Sequence, residues 1–117
     1  MEHSFLRKVP LFEGLKEEEL EAIASVTVTR SFSKDQVIIL AEEEGDALFI
    51  IHTGQVKVSI VSEDGREVIL SLLGEGAVFG ELALLDEKPR SANVVAMADA
   101  RLYMLHRSDF LKLLYRV

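Results

Sequence analysis

Apolar positions along the chain follow two periods. Over residues 16–25, Leu20, Ile23 and Ala24 share one face at helical spacing. Glu17, Glu18 and Glu19 crowd the first turn, where the helix dipole favours negative charge. This pattern predicts a short amphipathic helix, preceded at residues 10–15 by an irregular apolar connection. The period then shortens. Runs rich in Val, Ile, Leu and Phe predict strands over 26–32, 36–41, 47–53, 55–62, 66–73, 92–97 and 101–106, with Gly, Asp and Ser clusters between them. Val56-Lys57-Val58-Ser59-Ile60 alternates as a half-buried strand does, and Glu63-Asp64-Gly65 is a hairpin signal. A closing helix is predicted from Ser108 as N-cap through Phe110, Leu113 and Leu114.

Strands this short and evenly spaced point to a mainly β fold with flanking short helices, an antiparallel sandwich or barrel. With 117 residues the expectation is a single domain over 1–117. The sequence stops at Val117 without a C-cap signal, so a cut at a domain boundary is expected. At 49% hydrophobic residues the chain can bury a core, yet no apolar run approaches the roughly 18–20 residues that span a bilayer. No cysteine is present, which excludes disulfides, thiolate catalysis and cysteine-held zinc or iron–sulfur clusters. A cytoplasmic location fits this composition. The formal net charge of −7 makes the chain a poor nucleic-acid binder by itself. His3, His52 and His106 are too scattered to suggest a metal site, and no nucleophile, base and orienting group are arranged for catalysis. The expectation is therefore no metal and no enzyme.

One segment breaks the strand pattern. Residues 79–94 carry Gly80-Glu81, then Leu82-Ala83-Leu84-Leu85 without alternation, then Pro89-Arg90-Ser91-Ala92. A helix of one or two turns is expected here, ended by Pro89. Its free N-terminal amides after Gly80 would attract an anion. Arg90 adds a permanent charge whose fork matches phosphate oxygens, Ser91 adds a hydroxyl, and Ala92 leaves room. Glu81 would repel a bare phosphate but could accept a hydrogen bond from a sugar hydroxyl beside one. On the residues alone, plainer readings stand beside this: Gly80 as a tight turn, Glu81 as a cap, and Arg90 as a surface partner of Glu87.

The segment resembles the phosphate-binding cassette of cyclic-nucleotide-binding domains, whose pattern is F-G-E-L-A-L, a short variable stretch, then P-R-(S/A/T)-A. Phe79-Gly80-Glu81-Leu82-Ala83-Leu84 and Pro89-Arg90-Ser91-Ala92 match it. Gly45-Asp46, Phe49-Ile50-Ile51 and Gly54-Gln55-Val56 are similar to a second signature of that family, and residues 63–70 to the stretch before the cassette in its Crp/Fnr (catabolite activator) branch.

The resemblance implies an eight-stranded jelly roll, the antiparallel double-stranded β-helix. It implies that Glu81 binds a ribose 2′-hydroxyl and that Arg90 pairs with the cyclic phosphate. The amides near Gly80, Leu82 and Ala83, and those of Ser91 and Ala92, would hold the same phosphate. Val58 and Leu70 stand where the family packs side chains near the base, and either could equally be plain core. The implied ligand is a cyclic nucleotide, cyclic AMP ahead of cyclic GMP, although Ser91 does not separate them. Nine positions divide Glu81 from Arg90, as in eukaryotic cyclic-AMP-dependent kinase regulatory subunits, and the bacterial activator has one more. The flanking sequence favours a Crp/Fnr-type transcription regulator. Its lid and dimerisation helix and its DNA-binding effector would lie beyond Val117, with a homodimer as the whole protein. The alternatives are a jelly-roll module with another effector or none, and the regulatory domain of a kinase, channel or transporter.

Overall fold

The computed structural model describes residues 4–40, 46–80 and 92–114. Two short 3₁₀ helices open the chain: Ser4–Lys8, where no element was expected, and Pro10–Phe12, within the 10–15 stretch expected to be irregular. Helix α1 spans Glu17–Val26, within a residue of expectation. Its first turn is closed by Glu19, whose carboxylate accepts from the Lys16 amide at 2.8 Å, and tied to the first 3₁₀ helix by an Arg7–Glu17 ion pair. Eight strands follow among the described residues: β1 (Val28–Phe32), β2 (Val37–Ile39), β3 (Ala47–Thr53), β4 (Val56–Val61), β5 (Glu67–Leu73), β6 (Val78–Phe79), β7 (Asn93–Ala96) and β8 (Ala100–His106). Helix α2 is Arg107–Leu114, so Ser108 lies inside its first turn rather than at its cap.

All strand pairs are antiparallel, in two four-stranded sheets ordered β1-β8-β3-β6 and β2-β7-β4-β5. This is the jelly-roll arrangement expected, although the sheets do not close into one continuous barrel. Between them lies an interior cluster that includes Phe32, Phe49, Ile51, Val56, Phe79, Leu102 and Met104. The outer face of the first sheet carries a second cluster, in which Leu48, Ile50 and Leu105 meet Leu6, Phe12, Leu20, Ile23 and Phe110 of the helical layer. β3 thus serves both clusters on alternate residues. That explains why its sequence, Ala-Leu-Phe-Ile-Ile, is an unbroken apolar run, as in any strand covered on both faces.

The alternation in β4 would place Ser59 on the open face. Ser59 is instead only 1% exposed. Its hydroxyl donates to Glu67 Oε2 at 3.1 Å, while Lys57 Nζ donates to Glu67 Oε1 at 3.0 Å. One carboxylate therefore satisfies a buried hydroxyl and a strand cation together. Lys57 and then Ser59 hold the Glu67 carboxyl below the usual carboxylate range. A group with a depressed folded-state pKa contributes stability above its unfolded pKa, which is lost as pH falls through the folded value. Glu67→Gln is expected to lower the melting temperature near neutrality and to match the parent once the pH is below the carboxylate range. Melts across that window check this; a gap that persists at acid pH would assign the loss to packing instead.

Candidate functional site

The elements that flank the cassette are built from both sheets. β6 is only two residues long and pairs with β3 through Phe49↔Phe79 and Ile50↔Val78. The Phe79 ring stacks on Phe49 with centroids 5.0 Å apart and planes 13° apart, which fixes the end of β6 in the interior. Gly80 then turns the chain with φ +76°, a conformation that side chains with a Cβ resist. On the far side, half-buried Ala92 leads into β7, which sits between β2 and β4 in the second sheet. The chain between Gly80 and Ala92 therefore passes from the first sheet to the second. Glu81, Leu82, Ala83, Arg90 and Ser91, with the short helix expected among them, lie outside the described residues.

The two apolar candidates meet at one irregularity. β4 and β5 pair Val58 with Ser71 and then Ser59 with Ile69, so Leu70 is the extra residue of a β-bulge directly beside Val58. Val58 is half-buried against the interior cluster and faces Val94 of β7. Leu70 is 56% exposed, which leaves it out of the core. Ile69 and Leu72 are each 52% exposed on the same edge strand. Of the described site residues, Gly80 thus stands at the exit of β6 in the first sheet, Ala92 just before β7, and Val58 and Leu70 at the β4–β5 bulge of the second sheet.

Sequence reasoning missed β6, which is too short to show a period, and it missed the Lys57–Glu67–Ser59 group. A buried serine with its partner on the next strand leaves no signal in either strand alone. Among the described residues, no group of three His, Asp or Glu side chains converges as a metal site would require, and no helix is long and apolar enough to cross a membrane. His52 is exposed and His106 half-buried, while His3 lies outside the described residues.

The family model of the cyclic nucleotide-binding domain matches residues 29–116. The chain belongs to this family. Cyclic AMP receptor protein of Thermus thermophilus is 39% identical over 108 residues, covering 92% of this chain and 50% of the relative. The chain thus spans about half of that protein. Among solved structures, the N-terminal domain of a transcriptional regulator from Streptomyces coelicolor superposes with TM-score 0.87 at 30% identity, covering 94% of this chain and 77% of that one. The regulatory domain of Toxoplasma gondii PKA, co-crystallised with cAMP, gives TM-score 0.84 at 29% identity, covering 97% of this chain and 44% of that one. The family's sensor fold is thus present, with similarity to bacterial transcription regulators and to kinase regulatory chains alike.

Proposed function

We propose that the domain senses a cyclic nucleotide and serves as the regulatory part of a bacterial Crp/Fnr-type transcription regulator. The supporting observation is the family match across residues 29–116, with the cassette sequence held between the end of β6 and the start of β7. In this reading Glu81 accepts a hydrogen bond from the ribose 2′-hydroxyl and Arg90 pairs with the cyclic phosphate. The amides at Gly80, Leu82, Ala83, Ser91 and Ala92 complete the phosphate shell, and Val58 and Leu70 flank the base. Cyclic AMP is the preferred ligand, in keeping with the naming of the Thermus relative.

The exposed apolar side of β5 supports a further element. Val68, Ile69, Leu70 and Leu72 are all more than 40% exposed at one sheet edge, a concentration that marks an interaction surface. The lid and dimerisation helix into which family members continue would cover it. DNA contact falls to a separate effector domain, since the net charge here is −7. Similarity to kinase regulatory chains, and the spacing from Glu81 to Arg90 shared with them, favours regulation of a kinase as the second reading.

Thermal unfolding with cyclic AMP, cyclic GMP and linear AMP, in a chain that includes the lid helix, tests the proposal. A ligand at a hundredfold excess over its Kd adds about 2.7 kcal/mol and raises the midpoint by several degrees. Cyclic AMP is expected to give that shift and linear AMP none. Absence of a shift with any cyclic nucleotide would refute the sensor reading.

A further inference from the structure

We propose that the outer face of the first sheet carries a second small-molecule site, suited to a planar aromatic ring bearing one carboxylate and one ammonium group. Aromatic amino acids are the simplest members of that class. β3 directs Leu48, Ile50 and His52 outward on alternate residues. Leu48 and Ile50 are buried under the helical layer, whereas His52 lies past its edge and is exposed. There the first 3₁₀ helix lays Phe5 on Tyr103 of β8, with centroids 4.0 Å apart and planes 19° apart. His52 stands 5.0 Å from Tyr103 at a tilt of 41°. The Glu75–Gly76 turn forms the facing wall and is fastened to β3, because the Gly76 amide donates to the Ile51 carbonyl at 2.8 Å and the Ile51 amide to the Ala77 carbonyl at 2.9 Å.

These parts enclose a half-open cavity of about 430 Å³, within the usual range for small-molecule pockets. Its walls supply aromatic faces for offset or edge-on ring packing. Its charges are of both signs. The ammonium of Lys8 lies over the turn, only 3.6 Å from where a Cβ on Gly76 would stand, and Glu75 belongs to the same lining. Neither side chain has an ion-pair or hydrogen-bond partner among the described residues. A purely anionic aromatic would satisfy Lys8 but meet Glu75, and a purely cationic one the reverse. A ligand with both groups gains a charge-assisted hydrogen bond at each end. The cavity is lined by Ile50, Ile51 and His52 of β3, and none of Gly80, Ala92, Val58 and Leu70 lines it, so it stands apart from the described residues of the proposed nucleotide site.

Titration of the isotope-labelled full chain with L-tryptophan, followed by amide chemical shifts, tests the site. Saturable shifts are expected at Phe5, Lys8, His52, Gly76 and Tyr103. Tryptamine, which lacks the carboxylate, and indole-3-acetate, which lacks the ammonium, are each expected to bind about tenfold more weakly, which corresponds to about 1.4 kcal/mol. Lys8→Ala is expected to cost L-tryptophan a similar factor and tryptamine nothing. Lys8 is exposed, so the variant should keep the parent melting temperature and isolate the binding effect. Added cyclic AMP is expected to leave the shifts in place. The proposal is overturned if no saturable shift occurs at these residues, if tryptamine binds as tightly as L-tryptophan, or if cyclic AMP displaces L-tryptophan from them.

Discussion

Replacing Arg90 by alanine is expected to weaken cyclic-nucleotide binding by a factor on the order of a hundred to a thousand while leaving the fold intact. Truncating one partner of a buried, hydrogen-bonded charge pair typically costs about 2–5 kcal/mol, and tenfold in affinity is about 1.4 kcal/mol. The large end of that range is reasonable here for two reasons. The guanidinium offers two parallel donors to one phosphate, a geometry that a lysine cannot copy. The chain also carries a net charge of −7, so an incoming cyclic phosphate meets a repulsive overall field that a fixed local cation must overcome. Arg90→Lys should therefore recover only part of the loss. Displacement of a fluorescent cyclic nucleotide reads the affinity, and far-ultraviolet circular dichroism reads the fold. Glu81→Gln supplies the companion measurement. If Glu81 reads the ribose, the variant and the parent should bind 2′-deoxy cyclic AMP with nearly equal affinity, since that ligand lacks the hydroxyl whose bond is removed. Unchanged affinity in Arg90→Ala would remove the phosphate role assigned to it.

The fold was largely legible in the sequence because its strands obey simple rules, and the exceptions have physical causes. β3 announced itself as a strand by its unbroken apolar run, but only the helical layer on one side and the roll interior on the other explain that run. β5 is just as apolar, yet Val68, Ile69, Leu70 and Leu72 are exposed, because it is an edge strand and, among the described residues, no element covers its outer side. Composition cannot distinguish those two situations; neighbours do. Of the candidate site, Gly80 follows β6, a strand too short for the sequence to show, and Ala92, expected inside a strand over 92–97, stands one residue before β7. The sequence also named Val58 and Leu70 without revealing that a bulge sets them side by side, since a register shift between two strands is a property of the pair. Ser59 was hidden for the same reason: its polarity suggested solvent, while Glu67 on the neighbouring strand makes burial tolerable.

Gly54→Ala is expected to destabilise the domain by about 3 kcal/mol, combining backbone strain of roughly 1–3 kcal/mol with overpacking of similar size. Gly54 joins β3 to β4 with φ +99°. A Cβ there would lie 2.7 Å from both Cα and Cβ of Ala100 and 2.8 Å from the Asp99 carbonyl oxygen. Two of these atoms are backbone, so no rotamer change relieves the contact. The strands around them are locked as well: Thr53 pairs with Arg101, and the Met97 amide donates to the Gln55 carbonyl at 2.8 Å. For a domain of this size the loss corresponds to a fall of roughly 10 °C in melting temperature. Gly65→Ala separates the two contributions. Gly65, in the β4–β5 hairpin, has φ +85° but nothing within 4 Å of an added Cβ, so it should lose only the strain, about 1 kcal/mol. Ala100→Gly in the Gly54→Ala background should restore part of the stability, because it removes one close atom and leaves the Ala100 Cα and the Asp99 carbonyl in place. If Gly54→Ala and Gly65→Ala melt alike, close packing against Ala100 is not what requires glycine at the β3–β4 turn.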